Sequence, residues 1–173
     1  MQTPPWYVLT GAPSSGKTTV LERLAQHGYH TIPDAGRIII EEHLRKGISL
    51  QELMADSEPF AKKSFRRRLE MEASAPKDRT VFFDRGIPDS VAYYKLWGLN
   101  IREVEGIGRG RYRKAFFFEQ LPLQQEGVRT EDAETARILN DSLLWVYSNL
   151  GYEIVNVPAI SVEERVQLIL SNL

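Results

Sequence analysis

The segment Gly11-Ala12-Pro13-Ser14-Ser15-Gly16-Lys17-Thr18 matches the pattern G-x-x-x-x-G-K-[ST] and constrains the fold of the chain more than any other feature. The apolar run from Trp6 to Leu9 precedes it, and apolar residues at helical spacing follow it. Glycines let such a loop curl so that successive backbone N–H groups point at one anion, and the following helix adds the positive end of its dipole. We therefore predict a strand, a phosphate-binding loop and a helix in direct succession. A glycine-rich turn with a chance lysine is the alternative interpretation.

The residue types of this loop also predict its ligands. Lys17 is expected to reach the terminal phosphates of a nucleotide, and the Thr18 hydroxyl is expected to ligate Mg²⁺. The expected cofactors are therefore ATP and Mg²⁺. The predicted cofactor-binding residues are Gly11, Ala12, Pro13, Ser14, Ser15, Gly16, Lys17, Thr18 and Thr19.

Short apolar runs alternate with longer helix-like segments along the rest of the chain. This alternation indicates βαβ crossovers and a parallel sheet that is covered on both faces. No repeat or linker interrupts the pattern, so residues 1–173 are expected to form a single domain. Strands are predicted over 6–9, 29–32, 80–83, 114–118 and 152–157. Helices are predicted over 17–27, 35–46, 49–75 with an interruption at 57–59, 89–97, 130–150 and from Ser161 onward.

Composition excludes several classes of protein. The chain has no cysteine and only three histidines, which rules out a disulfide scaffold, a thiolate nucleophile and a cysteine-ligated zinc site. It contains no apolar run long enough to span a membrane and no signal-peptide pattern at residues 1–5, so a cytoplasmic protein is expected. The net charge of −1 hides an asymmetry. Residues 1–118 carry 19 basic and 14 acidic side chains, whereas residues 119–173 carry 3 and 9.

Asp84 follows the apolar run Val81-Phe82-Phe83 and is a candidate metal ligand. The carboxyl end of a strand in an open α/β sheet faces the ligand crevice, where a carboxylate can hold Mg²⁺ directly or through water. The alternative is an aspartate that caps the next helix. Arg85 is expected beside the transferred phosphoryl group, where negative charge develops in the transition state. Its alternative is a surface arginine in a turn.

Other signatures narrow the class of phosphate-binding protein. The sequence contains neither the N-K-x-D motif of GTPases nor the L-S-G-G-Q motif of ABC transporter ATPases. The chain is also short for a ring-forming ATPase core with its separate lid domain. Small phosphotransferases remain.

The phosphate-binding loop occurs together with five further segments that span nearly the whole chain, at residues 33–37, 82–89, 127–132, 151–158 and 161–165. In this order they resemble a small predicted ATPase/kinase family that is related to the ribosylnicotinamide kinase domain. More distantly, the chain is similar to nucleoside and nucleotide monophosphate kinases, including thymidylate kinase. The resemblance implies a three-layer P-loop NTPase fold in the α/β class, with a five-stranded parallel sheet, a central first strand and a helical lid at approximately 123–138.

The resemblance also suggests residues for the acceptor side. Asp34 ends the second predicted strand, where related nucleoside kinases keep an acid that takes the proton of the acceptor hydroxyl; it could equally cap the following helix. Arg37 is a candidate ligand of the acceptor or its phosphate, or else a cation on the helix surface. Asp89, Tyr93 and Tyr94 are candidates for the acceptor pocket, although the tyrosines could simply pack in the helix.

In the lid, Arg129 is expected to clamp the ATP phosphates and to add positive charge to the transition state. Arg137 lies eight residues later and could face the same side. The alternative for this segment is an ordinary helix start with acidic residues near its N-terminus. The resemblance places the adenine ring near residues 157–160.

Five of the seven residues at 62–68 are basic, in the run Lys62-Lys63-Ser64-Phe65-Arg66-Arg67-Arg68. Contact with a nucleic acid or another polyanion is one interpretation, a phosphorylated acceptor is another, and a solvated helix face is the commoner outcome. The function predicted from the sequence is an ATP- and Mg²⁺-dependent phosphotransferase that acts on a small nucleoside- or nucleotide-like acceptor. The alternative is a nucleotide-dependent regulatory or binding module that hydrolyses ATP slowly.

Overall fold

Five parallel strands form one sheet in a computed structural model that describes residues 3–121 and 133–173. The strands are β1 (Trp6–Thr10), β2 (His30–Ile32), β3 (Val81–Asp84), β4 (Lys114–Phe118) and β5 (Glu153–Val157). Their order across the sheet is β2-β3-β1-β4-β5, with every neighbouring pair parallel. The predicted α/β class and the central position of the first strand are therefore confirmed.

Helices cover both faces of the sheet because the strands alternate their side chains between two apolar clusters. Trp6, Val8 and Phe83 belong to one cluster, which includes residues of the fifth and sixth helices, whereas Tyr7 and Phe82 belong to the other. The helices are α1 (Lys17–Gln26), α2 (Ala35–Arg45), α3 (Leu50–Met54), α4 (Ser57–Ala73), α5 (Ile87–Leu96), α6 (Ala133–Asn149) and α7 (Val162–Leu170), with a 3₁₀ turn at Ile101–Glu103. None of the helices in the described ranges is long and apolar enough to cross a membrane.

The helical stretch predicted over 49–75 is divided earlier than expected. The break falls between Met54 and Ser57, whereas Pro59 lies in the first turn of α4. Proline is tolerated there because the first N–H groups of a helix have no partner within the helix. The Asp56 side chain caps α4 by accepting from the Glu58 N–H, so the start of the helix is determined by its cap.

The sheet brings the ends of β1 and β3 together. Leu9 pairs with Asp84 in the register of the two strands, so the loop that follows β1 lies beside the carboxylate that ends β3. Gly11 has a φ of 129°, and a Cβ atom at this position would lie 2.6 Å from the carbonyl oxygen of Phe118. Glycine is required there because the loop passes close to the backbone of β4.

Candidate active site

The loop between β1 and α1 is held from two sides. The Ala12 N–H donates to Asn140 Oδ1 of α6 at 2.8 Å, and Arg165 Nη1 of α7 donates to the carbonyl oxygen of Ser15 at 2.7 Å. Gly16 caps the start of α1 in a left-handed conformation with a φ of 82°. The loop is thus fixed by contacts that are distant in sequence.

Lys17 lies inside this loop and is 5% exposed. Its Nζ donates to the carbonyl oxygens of Gly11 and Ala12 and to Ser15 Oγ, at 3.0, 2.8 and 2.8 Å. Burial and the neighbouring Arg85 charge lower the pKa of Lys17 to about 7. The side chain is therefore positioned at the centre of the loop, where a phosphate would be cradled.

Thr18 and Asp84 form a direct hydrogen bond at the start of α1. Thr18 Oγ1 donates to Asp84 Oδ2 at 2.8 Å, and burial raises the pKa of Asp84, whose side chain is almost fully buried. A hydroxyl and a carboxylate are hard oxygen donors, which fit Mg²⁺. No group of three or more His, Cys, Asp or Glu side chains that could hold a metal ion by itself occurs within 3–121 and 133–173. A Mg²⁺ ion at this pair would take waters and substrate phosphates as its other ligands. The two predicted metal ligands therefore fit the ion and lie together.

Asp34 performs the capping role and also lies in the site. Its Oδ1 accepts from the Gly36 N–H at 3.0 Å at the start of α2. The same carboxylate pairs with Arg68 Nη2 at 3.3 Å and with Arg85 Nε at 3.5 Å. Both interpretations given for Asp34 are compatible with this placement, and its role as a base stays a prediction.

Arg85 is buried rather than on the surface. It is 6% exposed, and its Nη1 donates to the carbonyl oxygen of Gly11 at 3.1 Å. Its backbone has a φ of 66°, which is uncommon for a residue with a side chain. Burial lowers the pKa of Arg85, but the neighbouring Tyr93, Asp89 and Asp34 more than compensate and keep the guanidinium charged. The interpretation as a surface arginine is therefore wrong.

Asp89 lies behind Arg85 and does not reach the acceptor side. It is 0% exposed and accepts hydrogen bonds from Thr10 Oγ1 at 2.9 Å, Arg85 Nη1 at 3.1 Å and Tyr147 Oη at 2.6 Å. The Gly86 N–H supplies a fourth bond at 2.9 Å. The prediction that Asp89 contacts the acceptor is therefore wrong, since its oxygens are committed to holding Arg85 and the β3–α5 turn.

A cavity of about 900 Å³ opens beside the loop and is called the central cavity below. Lys17, Thr18 and Asp84 line it together with residues of α4 and α5. Part of its wall is aromatic: the rings of Phe60 and Trp97 are 5.9 Å apart, and those of Tyr93 and Trp97 are 5.1 Å apart. Side chains of the phosphate-binding loop and aromatic side chains thus line the same cavity.

Further predicted residues lie around this cavity. Arg37 lines it and donates from Nη1 to Thr18 Oγ1 at 3.3 Å. Tyr93 and Tyr94 also line it, and their contact with an acceptor stays a prediction. Arg137 is exposed and pairs with Glu134 and Asp141 along α6. Arg129 and most of the predicted lid lie outside the described residues.

The family and the fold agree with this geometry. The family model described as "AAA domain" matches residues 6–165. The chain belongs to the AAA domain family. Among curated proteins, none matches this chain in sequence. The exclusion of ring-forming ATPases rests on chain length and stays a prediction.

Solved structures with the fold of this AAA domain include P-loop kinases. Thymidylate kinase from Ehrlichia chaffeensis superposes with a TM-score of 0.69 at 15% identity, over 98% of both chains. Deoxyadenosine kinase from M. mycoides, solved with dCMP and dCDP, gives a TM-score of 0.71 at 13% identity and covers 96% of this chain and 97% of its own. NadR in complex with NR gives 0.66 at 19% identity, over 97% of this chain and 51% of that chain. The fold that the resemblance to P-loop kinases predicted is therefore confirmed.

The basic run at 62–68 is divided between two sides of α4 of the AAA domain. Arg68 turns inward and is 7% exposed, whereas Lys63 and Arg66 are exposed. Lys62 pairs with Glu58, and Arg67 pairs with Glu42. The run is thus not a single charged face, and its last member belongs to the central cavity.

Sequence reasoning missed two residues that shape the site, Asn140 and Arg165. They contact the loop from 128 and 150 residues away, and no local pattern marks them. Arg68 was named only as a member of the basic run, although Ala61, Ser64 and Arg68 have the spacing of one helix face.

Proposed function

We propose that this protein is an ATP- and Mg²⁺-dependent kinase that phosphorylates a small nucleoside- or nucleotide-like molecule. The observation that carries the proposal is the central cavity, which is lined both by Lys17, Thr18 and Asp84 and by aromatic side chains. Such a volume accommodates a nucleotide phosphate chain and a ring-bearing acceptor facing each other. The names of the similar structures, thymidylate kinase and deoxyadenosine kinase, favour an acceptor of this class.

On the nucleotide side, the backbone N–H groups of the loop and Lys17 would bind the phosphates. Thr18 and Asp84 would hold the Mg²⁺, whose charge offsets that of the phosphate oxygens. Arg85 would stabilise the charge that develops on the transferred group, because its guanidinium is buried and already oriented by Asp34 and Asp89.

On the acceptor side, Asp34 would take the proton from the acceptor hydroxyl as the hydroxyl oxygen bonds to the γ-phosphorus. The bond between the γ-phosphorus and the bridging oxygen breaks, and ADP leaves with that electron pair. Arg129 and Arg137 stay predicted contacts of the nucleotide from the lid.

The test is coupled ADP release measured across a panel of nucleosides and nucleoside monophosphates. We expect acceptor-stimulated turnover in the wild type and its loss, by roughly a hundredfold or more, in Lys17→Ala. Lys63→Ala, which removes an exposed lysine from α4, is the matched control and should retain activity. ADP release that no acceptor stimulates would contradict the kinase and favour the slowly hydrolysing regulatory module.

A further inference from the structure

One face of α4 carries buried polar side chains beside the central cavity. Ala61, Ser64 and Arg68 recur every three or four residues and all line it. Ser64 and Arg68 are each 7% exposed, so both are removed from bulk solvent. Small and polar side chains on a buried face are unusual, since such positions are normally apolar.

Two atoms of this face lack hydrogen-bond partners. Within the described ranges, Ser64 Oγ and Arg68 Nε are buried and accept or donate no hydrogen bond. The rest of the Arg68 guanidinium is engaged: Nη1 donates to Ser90 Oγ and Nη2 donates to Asp34 Oδ1. A buried donor without a partner is destabilising, so its retention needs an explanation.

The charges around Arg68 point to the nature of the missing partner. Arg68 has Asp34 as its carboxylate, but Asp34 also pairs with Arg85. Asp89 is fully committed to Arg85, Thr10, Gly86 and Tyr147 and does not reach Arg68. Arg68 therefore shares a single anion with a second guanidinium, and a further anion at its free Nε would complete the pairing.

We infer that the acceptor carries an oxyanion, a carboxylate or a phosphate, which binds Arg68 Nε and Ser64 Oγ. This inference rests on the proposed function and specifies its substrate. Arg68 contacts Asp34 through Nη2 and would contact the oxyanion through Nε, so one side chain would hold both the anionic group and the proposed base. Arg68 and Ser64 are then determinants of acceptor specificity.

The first arm of the test compares acceptors that share one reacting hydroxyl. Uridine is neutral, orotidine adds a ring carboxylate, and uridine 3′-phosphate adds a phosphate. The series ribose, ribonate and ribose 3-phosphate, in which the 5-hydroxyl stays free, repeats the comparison on a smaller core. We expect kcat/KM to be at least about tenfold higher for an anionic member than for its neutral parent. Which anion is preferred distinguishes carboxylate from phosphate.

The second arm uses Ser64→Ala, Arg68→Gln and Arg68→Lys. Ser64→Ala removes a hydroxyl that makes no hydrogen bond within the described protein, so the fold should be retained. We expect Ser64→Ala and Arg68→Gln to raise the KM for the anionic acceptor and to reduce the preference over the neutral one, by about tenfold for Arg68→Gln. The KM for ATP should not change, and Arg68→Lys should recover part of the preference. Arg66→Gln removes an exposed charge from the same helix and should leave the preference intact.

Three results separate the possibilities. Turnover of neutral acceptors at the same kcat/KM as their anionic relatives would overturn the inference and leave the kinase standing. An anionic preference that survives in both Arg68→Gln and Ser64→Ala would also overturn it. Absence of acceptor-stimulated ADP release across both series would instead contradict the proposed function itself.

Discussion

Thr18 Oγ1 donates a hydrogen bond to Asp84 Oδ2 at 2.8 Å, although the two residues are 66 positions apart in the chain. The contact follows from the sheet, because β1 and β3 are parallel neighbours and their carboxyl ends meet at one edge. A hydroxyl and a carboxylate side by side at a helix start are the oxygen ligands proposed for Mg²⁺, and substrate phosphates would complete the coordination of the ion. The metal chemistry of the proposed kinase would depend on this pair.

Asp84→Asn and Thr18→Val should selectively weaken the binding of Mg²⁺-nucleotide. Both changes keep the shape of the side chain. Thr18→Val removes an oxygen ligand, and Asp84→Asn removes the negative charge of the other one. We expect the affinity for ATP in Mg²⁺ to fall roughly tenfold or more, with a smaller change in EDTA. Thermal stabilisation by ATP, recorded with Mg²⁺ and with EDTA, measures both quantities.

Asp78→Asn is the control for this pair, since Asp78 is exposed and pairs only with Arg79 among the residues described. Thermal stabilisation by ATP should differ less between Mg²⁺ and EDTA in Asp84→Asn than in the wild type. If this difference is equally large in both proteins, Asp84 is not a ligand of the ion.

Asp89→Asn should destabilise the fold and impair turnover through Arg85. The Asp89 carboxylate accepts from four donors, and an amide with a single oxygen cannot accept from all of them. The buried ion pair with Arg85 would also be lost. Breaking a buried pair by removing one partner destabilises a protein by about 3–5 kcal/mol. Urea unfolding measures this change, and Asp78→Asn again serves as the exposed control.

The same variant tests whether Asp89 positions Arg85. Loss of its orientation should lower kcat while the KM for ATP stays within about threefold, because ground-state nucleotide contacts are retained. Equal kcat values for the variant and the wild type at a permissive temperature would show that Asp89 serves stability alone.

The sequence was sufficient to predict features that depend on local pattern. Glycine spacing located the loop, and an apolar strand followed by an acid located Asp84. Asp89 was misassigned because its pattern, an acid in the first turn of a helix, is identical for a pocket residue and a buried anchor. Only the packing of Tyr147 and Thr10 around its oxygens distinguishes them.

Arg68 shows a second limit. In sequence it is the last of five basic residues, and a run of charges is ordinarily read as a solvated face. Its inward direction is determined by the helix period together with the packing of α4 on α5, where Ser90 accepts from it. The sequence alone does not identify Ser90 as a partner of Arg68, because the two residues meet only when α4 packs against α5.

Arg165→Met should weaken nucleotide binding, although Arg165 lies on α7. Its guanidinium ties the Ser15 carbonyl oxygen to that of Pro158 and lies 5.5 Å from the centre of the Phe118 ring. Methionine keeps most of the packing volume but leaves both carbonyl oxygens without this donor. We expect the KM for ATP to rise about tenfold with less effect on the acceptor KM.

Arg23→Met is the matched control, because Arg23 is exposed and pairs with Glu163 at the surface. Arg165→Lys should be intermediate, since a lysine can satisfy one carbonyl oxygen but lacks the planar fork that reaches two. An unchanged KM for ATP in Arg165→Met would show that the loop keeps its shape without α7.

Tyr147 makes stability depend on pH in the alkaline range. Burial, and then the charge of Asp89, raise the pKa of Tyr147 well above its ordinary value of 10.0. Above pH 10 the unfolded chain loses the phenolic proton while the folded chain keeps it, so the unfolded state is favoured as the pH rises. The stability that this raised pKa contributes is fully present below pH 10. It is lost as the pH rises towards the pKa of Tyr147 in the folded chain.

Tyr147→Phe should therefore change both the free energy of unfolding at neutral pH and the dependence of that free energy on pH. At neutral pH the variant loses the hydrogen bond to Asp89 and should be less stable by about 1–3 kcal/mol. Between pH 10 and 11 the wild type should lose up to about 1.4 kcal/mol per pH unit more than the variant, so the two curves converge. Urea unfolding at pH 8 to 11 measures both curves. A constant gap up to pH 11 would contradict this prediction, because it would mean that Tyr147 ionises equally readily in the folded and unfolded chains.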